Sequence, residues 1–310
     1  MPIVPAASIA ALAALAGLAA CAAAGRHLGI VTGRHLVILE RILTWGVLPV
    51  LAFQVLIAGG AGEGSVTLLL HMSLIGAAMG CLAFATGLLY LPAVQEIPSR
   101  RRAFHYLVTV PGFPVAPIMV IALVFGTTGL VHLLAMAPGF ICTRHLLGGL
   151  ALKGRITPYD LASLAADPLL WMVAAATAWA AAGSTVPAGM ERGLLHCGRM
   201  ALPLGAFILG GHLDFRTRAG GWQWHLLLVT MRQIYYPALV LLLAGIMVRT
   251  GHALPAGAYV TGLIVAAMPV PSAAVQRLKD IDHAAAVSAY TLSTAVALVV
   301  TPLLIILFAL

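Results

Sequence analysis

Residues 105–125 read HYLVTVPGFPVAPIMVIALVF, a stretch apolar enough to lie in a bilayer that carries Pro111, Gly112, Pro114 and Pro117 at its middle. A proline removes a backbone donor and clashes with the carbonyl four residues back, so three within seven residues cannot sit in one regular helix. The segment is therefore expected to break at membrane depth. Irregular backbone is tolerated there only where protein covers it or it lines a polar cavity, which makes a broken span a pointer to a transport site. Residues 259–275, YVTGLIVAAMPVPSAAV, repeat the pattern in the other half of the chain, with the break at Pro269 and Pro271.

Composition agrees with a membrane setting. The chain has 310 residues, 62% hydrophobic and only 8% charged, with mean hydropathy +1.04, whereas a soluble domain carries about a quarter charged residues. The formal charge of +8 does not imply nucleic acid, because the basic residues fall between apolar spans, where membrane orientation accounts for them. Cys21, Cys81, Cys142 and Cys197 lie scattered in apolar runs without metal-ligand spacing and read as packing residues.

About ten spans of roughly twenty residues emerge between charged or Gly/Pro-rich punctuation. They are Pro5 to Ala24, Leu36 to Ala58, Val66 to Leu91, the broken His105 to Phe125, Leu130 to Leu152, Pro168 to Gly183, Leu195 to Leu213, Trp224 to Val248, the broken Tyr259 to Val275, and Ala284 to Leu310. The first resembles a signal peptide, down to a Leu18-Ala19-Ala20-Cys21 box, but no basic residue precedes Arg26 and it is read as a retained helix. The connector Lys153 to Asp167 divides the chain near its midpoint, giving one repeat over 1–155 and another over 156–310 within a single transmembrane domain.

Basic residues set the expected orientation. Arg26, Arg34, Arg41, Arg100, Arg101, Arg102, Arg144, Lys153, Arg155, Arg216, Arg218, Arg277 and Lys279 flank the odd-numbered spans on one side, against Arg192, Arg199 and Arg249 on the other. The first side is expected to be cytoplasmic, with both termini facing away from it. Leu48-Pro49-Val50-Leu51-Ala52-Phe53 in the second span reads against Leu202-Pro203-Leu204-Gly205-Ala206-Phe207 in the seventh. Five spans per repeat, an odd number, make the repeats inverted, as in many secondary transporters.

Several stretches carry a family likeness. DPLLWMVAAATAWAAAGSTVP from Asp167, GRMALPLGAFILGGHLDF from Gly198, Met268-Pro269, and YTLSTAVALVVTP over Tyr290 to Pro302 resemble the sixth, seventh, ninth and closing helices of the auxin efflux carrier family. The resemblance covers nearly the whole chain. It implies an all-α polytopic fold of ten transmembrane helices in two inverted five-helix repeats, with helices 4 and 9 broken and crossing, the architecture shared with bile-acid symporters and antiporters. It also implies carriage of a small organic anion, typically a carboxylate, across a bacterial inner membrane. A homodimer through the Leu48 to Phe53 and Leu202 to Phe207 helices is implied by resemblance alone. Family members often place Asn beside each break, yet this sequence contains no Asn.

The site residues follow from the breaks. Half-helix ends offer free N–H groups and carbonyls in a low-dielectric setting, so the backbone around Pro111, Gly112, Pro114, Pro117, Pro269 and Pro271 is the first candidate, with Gly112 allowing close approach of a ligand. Arg232 lies near mid-span, where a charge is costly and functional by default. It either contacts ligand or holds carbonyls freed by the breaks. Gln54, Thr109, Gln233, Tyr236, Ser272 and Gln276 complete the candidate substrate contacts, although polar side chains in membranes also serve as interhelical hydrogen-bond partners.

Coupling is less legible. No carboxylate lies deep in a span: Glu40, Glu96, Asp160, Asp167, Asp214, Asp280 and Asp282 are near ends, and Glu63 and Glu191 are in outer loops. A sodium site is not expected, and neither metal nor cofactor is called for. His71, His145, His212 and His225 titrate in the range for proton coupling, but each reads first as a packing residue. No nucleophile–base pair or HExxH cluster supports a membrane-embedded enzyme, and no filter repeat or signalling domain supports a channel or sensor. A sodium- or proton-coupled symporter or antiporter of the same architecture is the nearest alternative.

Overall fold

The computed structural model describes residues 6–60, 65–94, 97–184, 186–217, 221–251 and 256–309, and among them the secondary structure is entirely helical. Pro5, Glu63, Glu96, Arg218 and Leu310 lie outside the described residues. The helices are α1 (Ala6–His27), α2 (Gly33–Ile42), α3 (Leu48–Gly60), α4 (Ser65–Tyr90), α5 (Pro98–Thr109), α6 (Val115–Cys142), α7 (Gly148–Lys153) and α8 (Pro158–Ala165) in the first part. They continue with α9 (Pro168–Ala181), α10 (Ala188–Arg199), α11 (Ala201–Gly211), α12 (Trp222–Thr230), α13 (Tyr236–Arg249), α14 (Ala256–Ala266), α15 (Ser272–Arg277) and α16 (Lys279–Ala309).

Single π-helical turns join α2 to α3 (Leu43–Val47), α6 to α7 (Thr143–Leu147) and α12 to α13 (Met231–Tyr235). Two of them come just before Pro49 and Pro237. A proline ring crowds the carbonyl four residues back, and the wider turn relieves that contact without ending the helix.

Six helices among the described residues are long and apolar enough to cross a membrane, and the bent pair α8–α9, at 43°, makes a seventh. The protein is thus a polytopic membrane protein. Fewer long spans are found than the ten expected, partly because the two broken ones are cut into short pieces. α5 has 12 residues, α14 has 11 and α15 has 6. The apolar remainder of the first broken span runs on into the next helix at Gly126 (φ 60°, ψ −147°), so that α6 spans both.

The helices pack without regard to the midpoint of the chain. α1 lies on α11 and α3 on α9 and α10, while α4, α5 and α6 pack with α14 and α16; we call these two groups bundles, and α6 packs against both of them. Small residues make the crossings close. A Cβ at Gly76 would stand 2.5 Å from the Met136 carbonyl, and Ser73 donates to the Ala135 carbonyl at 2.9 Å, so α4 and α6 meet backbone to backbone. Leu48, Leu51, Ala52 and Phe53 are buried within the chain, with Phe53 edge-on to Trp179 at 6.1 Å. That stretch belongs to the core, whereas in the other stretch expected at a homodimer contact Leu202, Leu204 and Phe207 are half-buried and Pro203 is exposed.

Candidate functional site at the crossing of two broken helices

The first break follows from its prolines. α5 ends at Thr109, and Phe113–Pro114 is a cis peptide before α6 begins. The carbonyls of Leu107 and Val110 would take the N–H groups of residues 111 and 114 in a continuing helix, and both are prolines without one. The second break, at 267–271, separates α14 from α15 around Pro269 and Pro271.

Arg232 resolves this shortage. From the π-helical turn before α13, its Nη1 donates to the carbonyls of Leu107 at 2.6 Å, Val110 at 2.8 Å and Val108 at 3.5 Å, while Nη2 donates to Met268 at 3.2 Å and Pro269 at 3.3 Å. The guanidinium is 2% exposed and stitches one break to the other. Of the two roles open to it from sequence, the geometry realises the holding of freed carbonyls. Gly112 is similarly recast. A Cβ there would lie 2.5 Å from the Pro269 carbonyl and 2.7 Å from Met268 Cβ, so the close approach that glycine permits is made by the opposite break.

Beside the crossing lies a cavity of about 730 Å³. Gly112, Pro114, Pro269, Pro271, Ser272 and Gln276 line it; Pro111 and Pro117 do not. Trp45 (63% exposed) and Tyr159 (67%) stand at its rim, so it opens on the side of α2 and α8. The other candidates lie elsewhere. Gln54 packs against Gly198 of α10, and the Thr109 hydroxyl donates back to the His105 carbonyl at 2.7 Å. Gln233 donates to the Ser293 carbonyl at 3.4 Å, and the Tyr236 hydroxyl to the Met79 carbonyl at 2.6 Å. These four join helices or cap their own turn, as buried polar groups in a membrane must.

The cavity wall also holds charged groups that sequence reasoning did not select as a binding site, Glu40, Arg41, Arg144, Asp167 and Arg277, together with His145, which it weighed only for proton coupling. Asp167 caps α9, its Oδ1 accepting from the Leu169 N–H at 3.1 Å ahead of Pro168 at the first helical position. Its Oδ2 accepts from Arg144 and lies 3.4 Å from His145 Nε2. Arg277, at the end of α15, points an Nη2 at His145 Nδ1, 3.5 Å away. Glu40 lies 3.3 Å from His212 Nε2. The signal that could have found this cluster is weak, since Asp167 and Arg277 are 22 and 132 residues from His145.

The chain matches no protein-family model and no curated protein. Its function therefore rests on its own geometry. Among the described residues no group of three or more His, Cys, Asp or Glu side chains is placed to hold a metal ion.

Proposed function

We propose that the protein is a secondary transporter that moves a small organic anion across the inner membrane by alternating access, a carrier similar to those of the auxin efflux family. One observation carries the reading. Two helices, each broken at prolines inside an apolar span, meet at their breaks beside a cavity large enough for a small metabolite. Such a crossing would be a costly way to build a passive bundle, because broken backbone at membrane depth needs dedicated partners, here an arginine.

In this reading the chain crosses about ten times in two inverted repeats, counting each broken helix as one span. The wall residues Arg41, Arg144 and Arg277 belong to the basic side, so the cavity opens toward the cytoplasm and both termini face away from it. The bundle of α4–α6 and α12–α16 moves against that of α1–α3 and α9–α11.

The test is uptake of labelled small carboxylates and their neutral amides into proteoliposomes under an imposed potential. Saturable, protein-dependent uptake of a carboxylate is expected. Movement of neutral solutes alone would remove the anion assignment, and no movement of any solute would remove the carrier assignment.

A further inference from the structure

We propose that Arg144, His145 and Arg277 form the anion-binding site of this carrier and that Asp167 occupies the site in the empty state, as an internal anion that a bound carboxylate displaces. The inference rests on the carrier reading and deepens it. It assigns the site to a cluster on the cavity wall rather than to Arg232 or to the breaks themselves.

The wall carries an excess of positive charge. Three arginines, Arg41, Arg144 and Arg277, face two carboxylates, Glu40 and Asp167, which leaves one positive charge unmatched when His145 is neutral. Glu40 lies 3.3 Å from His212 Nε2, and Asp167 is paired with Arg144. Among the described residues no carboxylate lies within ion-pair distance of Arg277, whose hydrogen-bond contact is with a ring nitrogen. An unneutralised guanidinium at the edge of a low-dielectric cavity is a site for one negative charge.

Asp167 is held so that it can let go. Oδ1 is committed to the α9 cap, and only Oδ2 reaches the Arg144–His145 pair. Withdrawing Oδ2 therefore leaves the helix start intact. A neutral imidazole has one acceptor nitrogen, so His145 serves one arginine at a time. His145 Nε2 stands 3.2 Å from Arg144 Nη2 and 3.4 Å from Asp167 Oδ2, and Nδ1 stands 3.5 Å from Arg277 Nη2. In one tautomer Nε2 accepts from Arg144; in the other Nδ1 accepts from Arg277 and Nε2–H is left to donate to a carboxylate such as that of Asp167. A ligand carboxylate between the two arginines would take the Arg144 bond from Asp167 and satisfy Arg277 as well.

The cluster also straddles the two bundles. Arg144, His145 and Arg277 ride on the bundle of the broken helices, whereas Asp167 opens α9 in the other bundle. The Arg100–Asp282 ion pair and the His212–Glu40 contact each stay within one bundle, and Lys153–Asp160 joins α7 to α8. Displacing Asp167 thus loosens a charged tie between bundles in the step that loads the anion, which links binding to the freedom to move.

Thermal unfolding of the purified full chain in detergent tests this, with benzoate and butyrate as monoanions and benzamide and butyramide as neutral isosteres. The monoanions are expected to raise the Tm saturably and the amides not to. Arg277→Gln should lose that response at an unchanged ligand-free Tm, and Arg277→Lys should recover part of it. Asp167→Asn keeps a capping side chain and removes the competing charge, so it should bind benzoate about tenfold more tightly, a change of about 1.4 kcal/mol. Equal protection by benzamide, an undiminished benzoate response in Arg277→Gln, or unchanged affinity in Asp167→Asn would overturn the assignment. Binding in detergent decides the site and uptake in liposomes decides the carrier. A protein that transports carboxylates with Arg277→Gln unaffected would refute the site and leave the carrier reading standing.

Discussion

Arg232 is held by five main-chain carbonyls drawn from two segments that are far apart in sequence. Each hydrogen bond to a charged donor contributes roughly 1.5–3 kcal/mol, and orphaned buried carbonyls cost a similar amount. Arg232→Gln is therefore expected to destabilise the protein by at least about 3 kcal/mol, read as a fall in Tm in detergent. Arg232→Lys should not rescue it, because a single ammonium cannot span both sets of carbonyls with the geometry of a planar fork. Equal stability of the lysine variant would show that charge alone is enough. The sequence exposes this residue because a lone mid-span arginine needs an explanation. It could not show whether the guanidinium faces a ligand or the backbone, since three of the carbonyls it meets, those of Leu107, Val108 and Val110, are over a hundred residues away.

At the scale of elements, the breaks work as a pair. Each is encoded locally by prolines, but their contact is not, and Gly112 is the point where it becomes visible. Gly112→Ala would set a methyl 2.5 Å from the Pro269 carbonyl, which belongs to backbone and cannot swing aside. Overpacking of this kind costs about 1–3 kcal/mol, and uptake should fall as the crossing is pushed apart. An alanine variant with unaltered Tm and uptake would show that the two breaks separate freely. The π-helical turns extend the same logic, since two of the three present charged side chains, Arg232 in one and Arg144 with His145 in another. An extra residue in a helical turn rotates the downstream part of the helix and lets a side chain reach inward without ending the span. Nothing in the local sequence before Gly148 marks the second of these turns, which is one reason that the wall cluster is not visible from sequence.

At the scale of the whole molecule, alternating access predicts relative motion of the two bundles. Gly205 of α11 and Val115 of α6 meet across their boundary, with a Cβ at Gly205 reaching to 2.9 Å from Val115 Cγ1. In a background with Cys21, Cys81, Cys142 and Cys197 replaced by serine, the pair Val115→Cys and Gly205→Cys should form a disulfide on oxidation. Uptake should then stop and return on reduction. Undiminished uptake by the fully cross-linked protein would rule out sliding at this boundary.

The amino-acid sequence alone was enough to establish the membrane setting, the apolar segments, the places where two of them must break, and the presence of one deeply buried charge. Each of these follows from local chemistry: hydropathy over about twenty residues, the missing donor and rigid ring of proline, and the cost of charge in hydrocarbon. It took the folded chain to show that the breaks touch, that Arg232 binds them, that Gln54, Thr109, Gln233 and Tyr236 are not among the residues lining the cavity, and that Arg144, His145, Asp167 and Arg277 gather on its wall. Those facts depend on which helix packs on which. In a lipid setting that choice is made by close small-residue crossings and long-range hydrogen bonds, and the spacing of residues along one segment does not encode it.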